Sequence, residues 1–196
     1  MPENRLLVAI LAAGASRRLG SPKQLIPIDG VPLARRQCRV ALAAQLGPVA
    51  IVVGSRAAEV IAAVADLPVE ICLNPDWEEG MAASLRRGVL AARQSRADAL
   101  LVLACDQYRV TADDLCRLHD VWRDAGGVAC VSRAGEHLGP PAVLPADRYD
   151  AVLGLRGDGG ARPVLFDPRR LRPREVQIPN AFFDLDHPHD LKATGS

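Results

Sequence analysis

The sequence is poor in lysine and in aromatic residues, and it contains no long apolar run. Of its 196 residues only Lys23 and Lys192 are lysine, and aromatic side chains make up 4% of the chain. No apolar run approaches the roughly 20 residues that a membrane-spanning helix requires. Residues 1–5 carry no apolar core of the kind found in signal peptides. On these absences we expect a cytoplasmic protein with no membrane partner.

Neither the charge nor the cysteines indicate a nucleic-acid or zinc site. The formal net charge of +1 creates no global field toward a polyanion. The arginine runs at 86–96 and 169–174 lack the interleaved aromatic residues of an RNA-binding groove. The five cysteines form no C-x-x-C pair, which predicts neither zinc nor a disulfide framework. We expect no nucleic-acid partner, a reducing compartment, and Cys72, Cys105 and Cys130 packed as small apolar side chains.

Alternating apolar runs and helical patterns predict a single α/β domain. The nearly continuous apolar content of residues 99–104 is typical of a central parallel strand. Thr111 and Asp114 form a capping-box pattern at the start of a helix. We expect a mostly parallel central sheet flanked by helices. Strands are predicted at 6–11, 50–53, 69–73, 99–104 and 128–132, and helices at 32–46, 57–65, from about 80 onward, and at 111–124.

The pattern becomes less regular after residue 135. Glycine and proline recur at 135, 139–141 and 154–160, so long loops are expected there. A loop-rich half of this kind suits a binding site for an acceptor molecule. A late strand at 182–185 and a short closing helix at 187–192 complete the prediction.

A loop of small residues follows the first predicted strand and leads into three cations. Residues 12–16 are all Ala, Gly or Ser, and Gly14 permits a turn with positive φ. Backbone N–H groups in such a turn form an anion nest, to which Arg17, Arg18 and Lys23 add positive charge. The spacing fits neither a Walker A loop nor a dinucleotide-binding loop. We therefore predict a triphosphate site formed by Leu11, Ala12, Ala13, Gly14, Ala15, Ser16, Arg18 and Lys23.

Asp106 stands just after the predicted strand 99–104. Ligands of open α/β sheets bind at the carboxyl ends of the strands. Magnesium prefers one or two carboxylates together with water and substrate phosphates. We therefore predict that Asp106 holds Mg²⁺, the alternative being that it caps the turn that follows.

The pattern L-A-A-G-x-S-x-R-x-G-x-P-K over residues 11–23 resembles the signature of nucleotidyltransferases with a GT-A-like fold. Its continuation through Gly30 looks most like the molybdenum cofactor cytidylyltransferase branch of the MobA-like NTP transferases. The resemblance implies a Mg²⁺-dependent enzyme that transfers CMP from CTP to the terminal phosphate of molybdopterin. Pyrophosphate and molybdopterin cytosine dinucleotide would be the products. It also implies a nucleotide-binding half at about 1–108 and an acceptor-binding half at about 109–196.

The resemblance assigns roles to residues throughout the chain. It implies catalytic roles for Arg18, Lys23 and Asp106. The family's G-M-x-x-S-L motif implies that Gly80 and Ser84 contact the nucleotide.

Two further motifs concern the metal and the acceptor. The family's closing motif D-I-D-T-P-E-D-L matches residues 184–191 and implies that Asp184 or Asp186 is the second carboxylate at the metal. The D-Q-P and G-D-x-G-A-R motifs imply acceptor-binding residues, namely Gln107, Gly157, Asp158, Gly160 and Arg162.

The sequence allows more than one nucleotide, more than one acceptor and a second class of function. Ala13 favours CTP, because the guanylyltransferase branch usually has glycine there and an added Cβ crowds a purine; GTP is the alternative. A sugar or polyol phosphate is an alternative acceptor. Tyr108, where the family has proline, and the replacements His187 and His189 motivate a non-catalytic maturation factor for a molybdoenzyme. The two histidines would also suit a transition metal. The resemblance implies a molybdoenzyme or an insertion chaperone as protein partner.

Overall fold

A seven-stranded sheet with helices on both faces organises the chain. The structure is a computed structural model, and it describes residues 5–16 and 22–183. The strands are β1 Leu6–Ala12, β2 Pro27–Ile28, β3 Val31–Pro32, β4 Val49–Val53, β5 Glu70–Leu73, β6 Ala99–Ala104, β7 Cys130–Ala134, β8 His137–Pro145 and β9 Arg174–Gln177. The helices are α1 Leu33–Ala44, α2 Ala57–Val64, α3 Met81–Gln94, α4 Ala112–Asp124, α5 Tyr149–Leu153 and α6 Arg162–Leu165.

The sheet is mostly parallel, as predicted. Its strand order is β5-β4-β1-β6-β8-β7-β9, while β2 and β3 pair in a separate ribbon. Among the described strands of the large sheet, only β8 runs antiparallel to its neighbours, β6 and β7. Strand β6 therefore has a parallel neighbour, β1, on one side and an antiparallel one on the other. The parallel strands direct their carboxyl ends to one edge of the sheet.

Strand β1 shows how the sheet divides the core into two layers. Every residue of β1 is buried, because successive side chains point to opposite faces and helices cover both. Leu6, Val8 and Ile10 pack with α1, α2 and α4 on one face. Leu7 and Ala9 pack with α3, α5 and α6 on the other. Among the described helices, none has the length and apolar content needed to cross a membrane.

The predicted elements before residue 130 are confirmed, with ends that differ by one or two residues. The helix starting at Ala112 has the predicted capping box, which satisfies N–H groups that a helix start leaves without intrahelical partners. The Thr111 hydroxyl accepts a hydrogen bond from the Asp114 amide at 3.2 Å. The Asp114 carboxylate accepts one from the Thr111 amide at 3.0 Å.

The loop prediction for the region after residue 135 is wrong over the nine residues of β8. Gly139, Pro140 and Pro141, which motivated the prediction, lie at an irregularity in the pairing. The register moves from Ser132 opposite Gly139 to Val131 opposite Ala142, so the two prolines stand between paired positions. Proline lacks the N–H group of a ladder hydrogen bond, and a bulge is where a strand accommodates that loss.

Two segments near the end of the described chain differ from what the sequence predicts. No strand is predicted at Arg174–Gln177, yet this segment forms β9 at the edge of the sheet, and Val176 alone of its four residues is buried. Phe182, predicted to begin a late strand, instead ends a 3-10 turn over Pro179–Phe182. A short apolar run does not distinguish these conformations by its pattern. The rest of that strand after Phe183, and the closing helix at 187–192, lie outside the described residues.

Candidate active site

A cavity of about 550 Å³ opens at the carboxyl ends of the parallel strands. Its walls come from the loop after β1, the segment that leads into α3, and the residues after β6. This is the edge at which open α/β sheets bind ligands. The predicted nucleotide-binding residues that the structure describes all line this cavity, namely Leu11, Ala12, Ala13, Gly14, Ala15, Ser16, Lys23, Gly80 and Ser84.

The small-residue loop folds differently from the prediction at one residue. The left-handed conformation is adopted by Ser16, with a φ of 53°, and not by Gly14. The Ser16 hydroxyl accepts a hydrogen bond from the Lys23 amide at 3.0 Å, which joins the two described ends of the loop. A Cβ added at Gly14 would meet no atom of the described residues within 4 Å, its two chain neighbours aside. Packing against this described part of the chain therefore does not require glycine at this position, and its small size leaves open space on the cavity side.

Gln24 fixes the loop from beneath. Its side chain is 1% exposed, and its Nε2 donates hydrogen bonds to the carbonyl oxygens of Ala12 at 3.0 Å and Gly14 at 2.5 Å. Both carbonyls are thereby held on the side of the loop that faces Gln24. Although Gln24 lies within the longer motif, sequence reasoning did not identify it as a site residue.

Replacing Gln24 by Met tests this support. The substitution keeps the length of the side chain but leaves two carbonyls without their donor, and we expect a loss of about 2 kcal/mol in the free energy of unfolding. Urea titration measures the loss. The control is Gln94→Met at the exposed end of α3, where the expected change is below about 0.5 kcal/mol. Equal unfolding midpoints for the two variants would contradict the role given to Gln24.

Lys23 and Asp106 meet in the cavity. The Lys23 ammonium donates to the Asp106 carboxylate, and both side chains are partly buried, with exposed fractions of 22% and 16%. The residue before Asp106 continues the pairing of β1 with β6, since the Cys105 amide donates to the Leu11 carbonyl at 3.1 Å. The tertiary fold thus brings a predicted phosphate-binding cation and a predicted metal ligand together.

Gln107 is buried in the protein interior, which does not fit its predicted role as an acceptor-binding residue. Its side chain, 2% exposed, accepts a hydrogen bond from the Ala104 amide at 3.1 Å. It also donates to the carbonyls of Pro140 at 2.6 Å and Ala181 at 2.5 Å. The amide group therefore connects the loop after β6 to β8 and to the last described turn.

Tyr108, which replaces the family's proline, is also part of the interior. Its side chain is 8% exposed and packs in the same apolar layer as α1 and α4. The Arg109 guanidinium lies 5.5 Å from the centre of the Tyr108 ring. Tyr108 thus fills core volume, and its amide donates a 2.8 Å hydrogen bond to the Asp106 carbonyl, which a proline could not make because it lacks the N–H group.

The start of α3 forms another wall of the cavity. Gly80 precedes the helix with a φ of 116° and a ψ of −166°, a combination that is essentially confined to glycine. The Ala82 amide donates to the Gly157 carbonyl at 3.1 Å, so the 157 loop satisfies one of the N–H groups at the helix start. The Ser84 hydroxyl accepts from Asn74 Nδ2 at 3.3 Å, which fixes its orientation.

The remaining predicted acceptor residues lie on both sides of this wall. Asp158 lines the large cavity. Gly160 and Arg162 line a second cavity of about 210 Å³, whose other walls are mostly apolar. Leu11, Met81 and Ala104 line both cavities. The two spaces therefore share a boundary formed by β1, α3 and β6.

Several predicted residues lie outside the described part of the chain. These are Arg18, Asp184, Asp186, His187 and His189. Within residues 5–16 and 22–183, no group of three side chains of the kinds that ligate metals is found. Asp106, a hard oxygen donor facing a cavity large enough for phosphates and water, nevertheless fits the ligand preference of Mg²⁺ for few carboxylates.

Sequence reasoning missed Trp77 and Glu78, which also line the large cavity. The sequence does contain an indication for Trp77. Trp77 is one of only two tryptophans in a chain with 4% aromatic residues, and it stands three residues before Gly80. Its rarity and its place beside a predicted nucleotide contact could have singled it out.

All five cysteines are free thiols, and burial raises the pKa of each of them, including that of the partly buried Cys116. Burial raises the pKa of Cys38 and Cys130 to about 12 and that of Cys72 to about 11. Burial also raises the pKa of Cys105 well above its ordinary value, with the adjacent Asp106 adding to the effect. Cys105 and Cys130 are buried as predicted, whereas Cys72 is only half-buried.

Alkylation of the native protein should therefore be slow. The thiolate is the reactive form, and a raised pKa leaves little of it at pH 7.5. We expect brief treatment with iodoacetamide at this pH to leave the mass unchanged, whereas the unfolded chain gains one adduct per cysteine. The native reaction should accelerate as the pH rises toward 11. Rapid native modification of Cys105 would contradict its assignment as a buried thiol.

Comparison with known protein families gives a match over most of the chain. The model of the MobA-like NTP transferase domain matches residues 8–173. Purine catabolism protein PucB of Bacillus subtilis is 30% identical over 169 residues, which cover 82% of this chain and 80% of that protein. The molybdenum cofactor guanylyltransferase of Rhodobacter capsulatus is 32% identical, covering 95% of this chain and 93% of that protein.

Solved structures share the same architecture. The protein Rv0371c of Mycobacterium tuberculosis H37Rv, solved in complex with manganese, superposes with a TM-score of 0.78 at 26% identity and covers 97% of each chain. A nucleotidyl transferase from Methanothermobacter thermautotrophicus superposes with a TM-score of 0.80 at 27% identity, covering 97% of this chain and 95% of that one.

Proposed function

Since this chain belongs to the MobA-like NTP transferase family and is a nucleotidyltransferase, we propose that it transfers CMP from CTP to the terminal phosphate of molybdopterin. The products are molybdopterin cytosine dinucleotide and pyrophosphate. The observation that carries the proposal is the joining of the small-residue loop, Lys23 and Asp106 around one cavity. In this proposal the chain works in the cytoplasm.

The chemistry needs charge stabilisation and positioning. An oxygen of the acceptor phosphate attacks the α-phosphorus of CTP and forms a new P–O bond. The bond between the α-phosphorus and the oxygen that bridges to the β-phosphate breaks, and pyrophosphate leaves with that oxygen. The acceptor is already anionic, so no side-chain nucleophile is required. Lys23 and Arg18 are proposed to neutralise charge on the triphosphate, and the amides of the loop after β1 to bind its oxygens.

A divalent metal ion is typical of this family, and we propose Mg²⁺. Asp106 would hold it together with Asp184 or Asp186. The bound ion would supply positive charge to the phosphate oxygens. Lys23 contacts the same carboxylate, so this ammonium is positioned to orient Asp106 before the substrate binds.

The two cavities support separate binding regions for the nucleotide and the acceptor. We propose that residues 1–108 bind the nucleotide and that residues 109–196 bind the acceptor. The second cavity, with Gly160 and Arg162, supports an acceptor site beside the nucleotide site. Each cavity also takes residues from the other half, Asp158 in the first and Leu11 in the second. The two halves therefore act within one continuous site in this proposal.

GTP is the second candidate nucleotide, because the Rhodobacter capsulatus relative is named as a guanylyltransferase. Ala13 supports CTP, since its methyl group occupies the wall of the cavity. The Bacillus subtilis relative is named for purine catabolism, which supports a purine-oxidising molybdoenzyme, or its insertion chaperone, as the recipient of the product.

Pyrophosphate release tests the proposal directly. The purified protein is incubated with Mg²⁺, molybdate-loaded molybdopterin and CTP, GTP, ATP or UTP in turn. We expect release with CTP only, and none without molybdopterin or after removal of divalent ions with EDTA. Release with GTP would overturn the base assignment. Release with a sugar or polyol phosphate in place of molybdopterin would overturn the acceptor assignment, and no release despite bound CTP would favour a maturation factor.

A further inference from the structure

We infer that the indole of Trp77 is the surface on which the nucleobase stacks, an inference that rests on the proposed use of a nucleoside triphosphate. In the sheet, β1 lies between β4 and β6. Asp106 follows β6, and Lys23 contacts it. The charged side chains suited to phosphates and metal therefore lie on the β6 side of the cavity.

Trp77 lies on the opposite, β4 side. The loop after β4 contacts the end of the small-residue loop, since the Ser55 amide donates to the Ala13 carbonyl at 3.0 Å. A Cβ added at Gly54 would lie 2.6 Å from the Cβ of Trp77 and 3.0 Å from the Cβ of Ala13. Ala13, Gly54 and Trp77 thus form one compact wall at the ends of β1 and β4, whereas Asp106 follows β6 on the other side of β1.

The close approach at Gly54 gives Trp77 a defined position. Any side chain at Gly54 would occupy the space of the tryptophan Cβ, so the absence of one allows the indole to rest against the strand end. The ring also packs partly against the apolar layer shared with α3, yet it contributes to the lining of the large cavity. A rigid aromatic surface is therefore held at the cavity wall.

The shape of the ligand connects the two sides. In a nucleoside triphosphate the base and the phosphates stand at opposite ends of the ribose. With the phosphates near Lys23 and Asp106, the base extends toward β4 and reaches the wall that contains Trp77. Stacking of a base on an aromatic side chain contributes a large part of nucleotide affinity and tolerates any base. Ala13, in the same wall, would then limit the size of the base.

Tryptophan fluorescence provides the first test. The only other tryptophan, Trp122, is 2% exposed in the layer shared with α1 and α4, so Trp122→Phe leaves Trp77 as the sole emitter. CTP should change its emission, whereas inorganic tripolyphosphate, which has the phosphates without a base, should bind and leave the emission unchanged. An unchanged emission with saturating CTP would overturn the inference.

Calorimetric titration of two variants provides the second test. Trp77→Leu keeps apolar bulk and removes the ring, and the Kd for CTP should rise about tenfold or more. Trp77→Phe keeps a ring, and its Kd should stay within about threefold. The Kd for tripolyphosphate should be the same in both variants as in the unsubstituted protein. Equal weakening of CTP and tripolyphosphate in Trp77→Leu would assign Trp77 a packing role only and overturn the proposal.

Lys23→Ala is the control for the phosphate end, and it should weaken both ligands. Neither test includes an acceptor, so they are separate from the pyrophosphate-release assay. If no transfer to molybdopterin is found but CTP still depends on the ring at position 77, the proposed function fails and the inference stands. If transfer occurs but the ring is irrelevant to CTP binding, the inference fails and the function stands.

Discussion

Asp106→Asn should lower kcat about a thousandfold while the protein stays folded. The asparagine has nearly the same shape as aspartate, so the loop after β6 and the hydrogen bonds of Gln107 should persist. What is lost is the negative charge beside Lys23, and with it the proposed hold on a divalent ion. Losses of this order follow the removal of a single group that stabilises transition-state charge. Steady-state pyrophosphate release with saturating CTP measures the effect.

The control for Asp106→Asn is Asp124→Asn. Asp124 ends α4, is 69% exposed and pairs only with its neighbour Arg123 among the contacts described, so both activity and stability should be nearly unchanged. Thermal unfolding of both variants shows whether a loss of activity comes from the missing charge or from unfolding of the protein. Activity above about a tenth of the unsubstituted enzyme in Asp106→Asn would refute the assignment of this carboxylate to the reaction.

Gly80→Ala should destabilise the protein by about 3 kcal/mol, because two costs combine at this position. Any residue with a Cβ is strained at a φ of 116° and a ψ of −166°. The added Cβ would also lie 2.7 Å from the Gly157 carbonyl oxygen and closer still to the Asp158 carboxylate. Relief requires the 157 loop to move away from the start of α3.

That movement should affect activity as well as stability. Asp158 lines the large cavity and Gly157 contacts the first turn of α3, so displacement of the loop misplaces the helix start beside the proposed nucleotide site. We expect kcat/KM for CTP to fall about a hundredfold, which is the scale expected for a displacement of about 1 Å. Denaturant titration and steady-state kinetics measure the two effects separately.

Gly135→Ala is the control that measures the cost of backbone strain without a steric clash between the added Cβ and a neighbouring loop. Gly135 also has a positive φ, 57°, but within the described ranges 5–16 and 22–183 a Cβ there would meet no atom within 4 Å beyond its chain neighbours. We expect a loss of about 1 kcal/mol from backbone strain alone, with unchanged kinetics. If Gly80→Ala costs no more than Gly135→Ala, then the contact between α3 and the 157 loop does not hold the site in the way described.

The sequence by itself determined most of the first 130 residues of the fold. Runs such as Leu6–Ala12 are apolar at every position because both faces of the strand are covered. Helix α4 begins where Thr111 and Asp114 predict it, since a capping box acts within four residues. The small-residue loop and the position of Asp106 after β6 were also evident, because each follows directly from a strand end.

The tertiary structure alone decided the remaining features, because they depend on residues far apart in the chain. Strand β8 tolerates two prolines because it bulges there, so that neither proline stands opposite a residue of β7 in the pairing. Gln107 is interior because its amide finds carbonyls at Pro140 and Ala181. Trp77 borders the cavity because Gly54 has no side chain. Local periodicity records which side chains are buried, but the identity of a long-range neighbour is fixed only when the strands and loops are packed together.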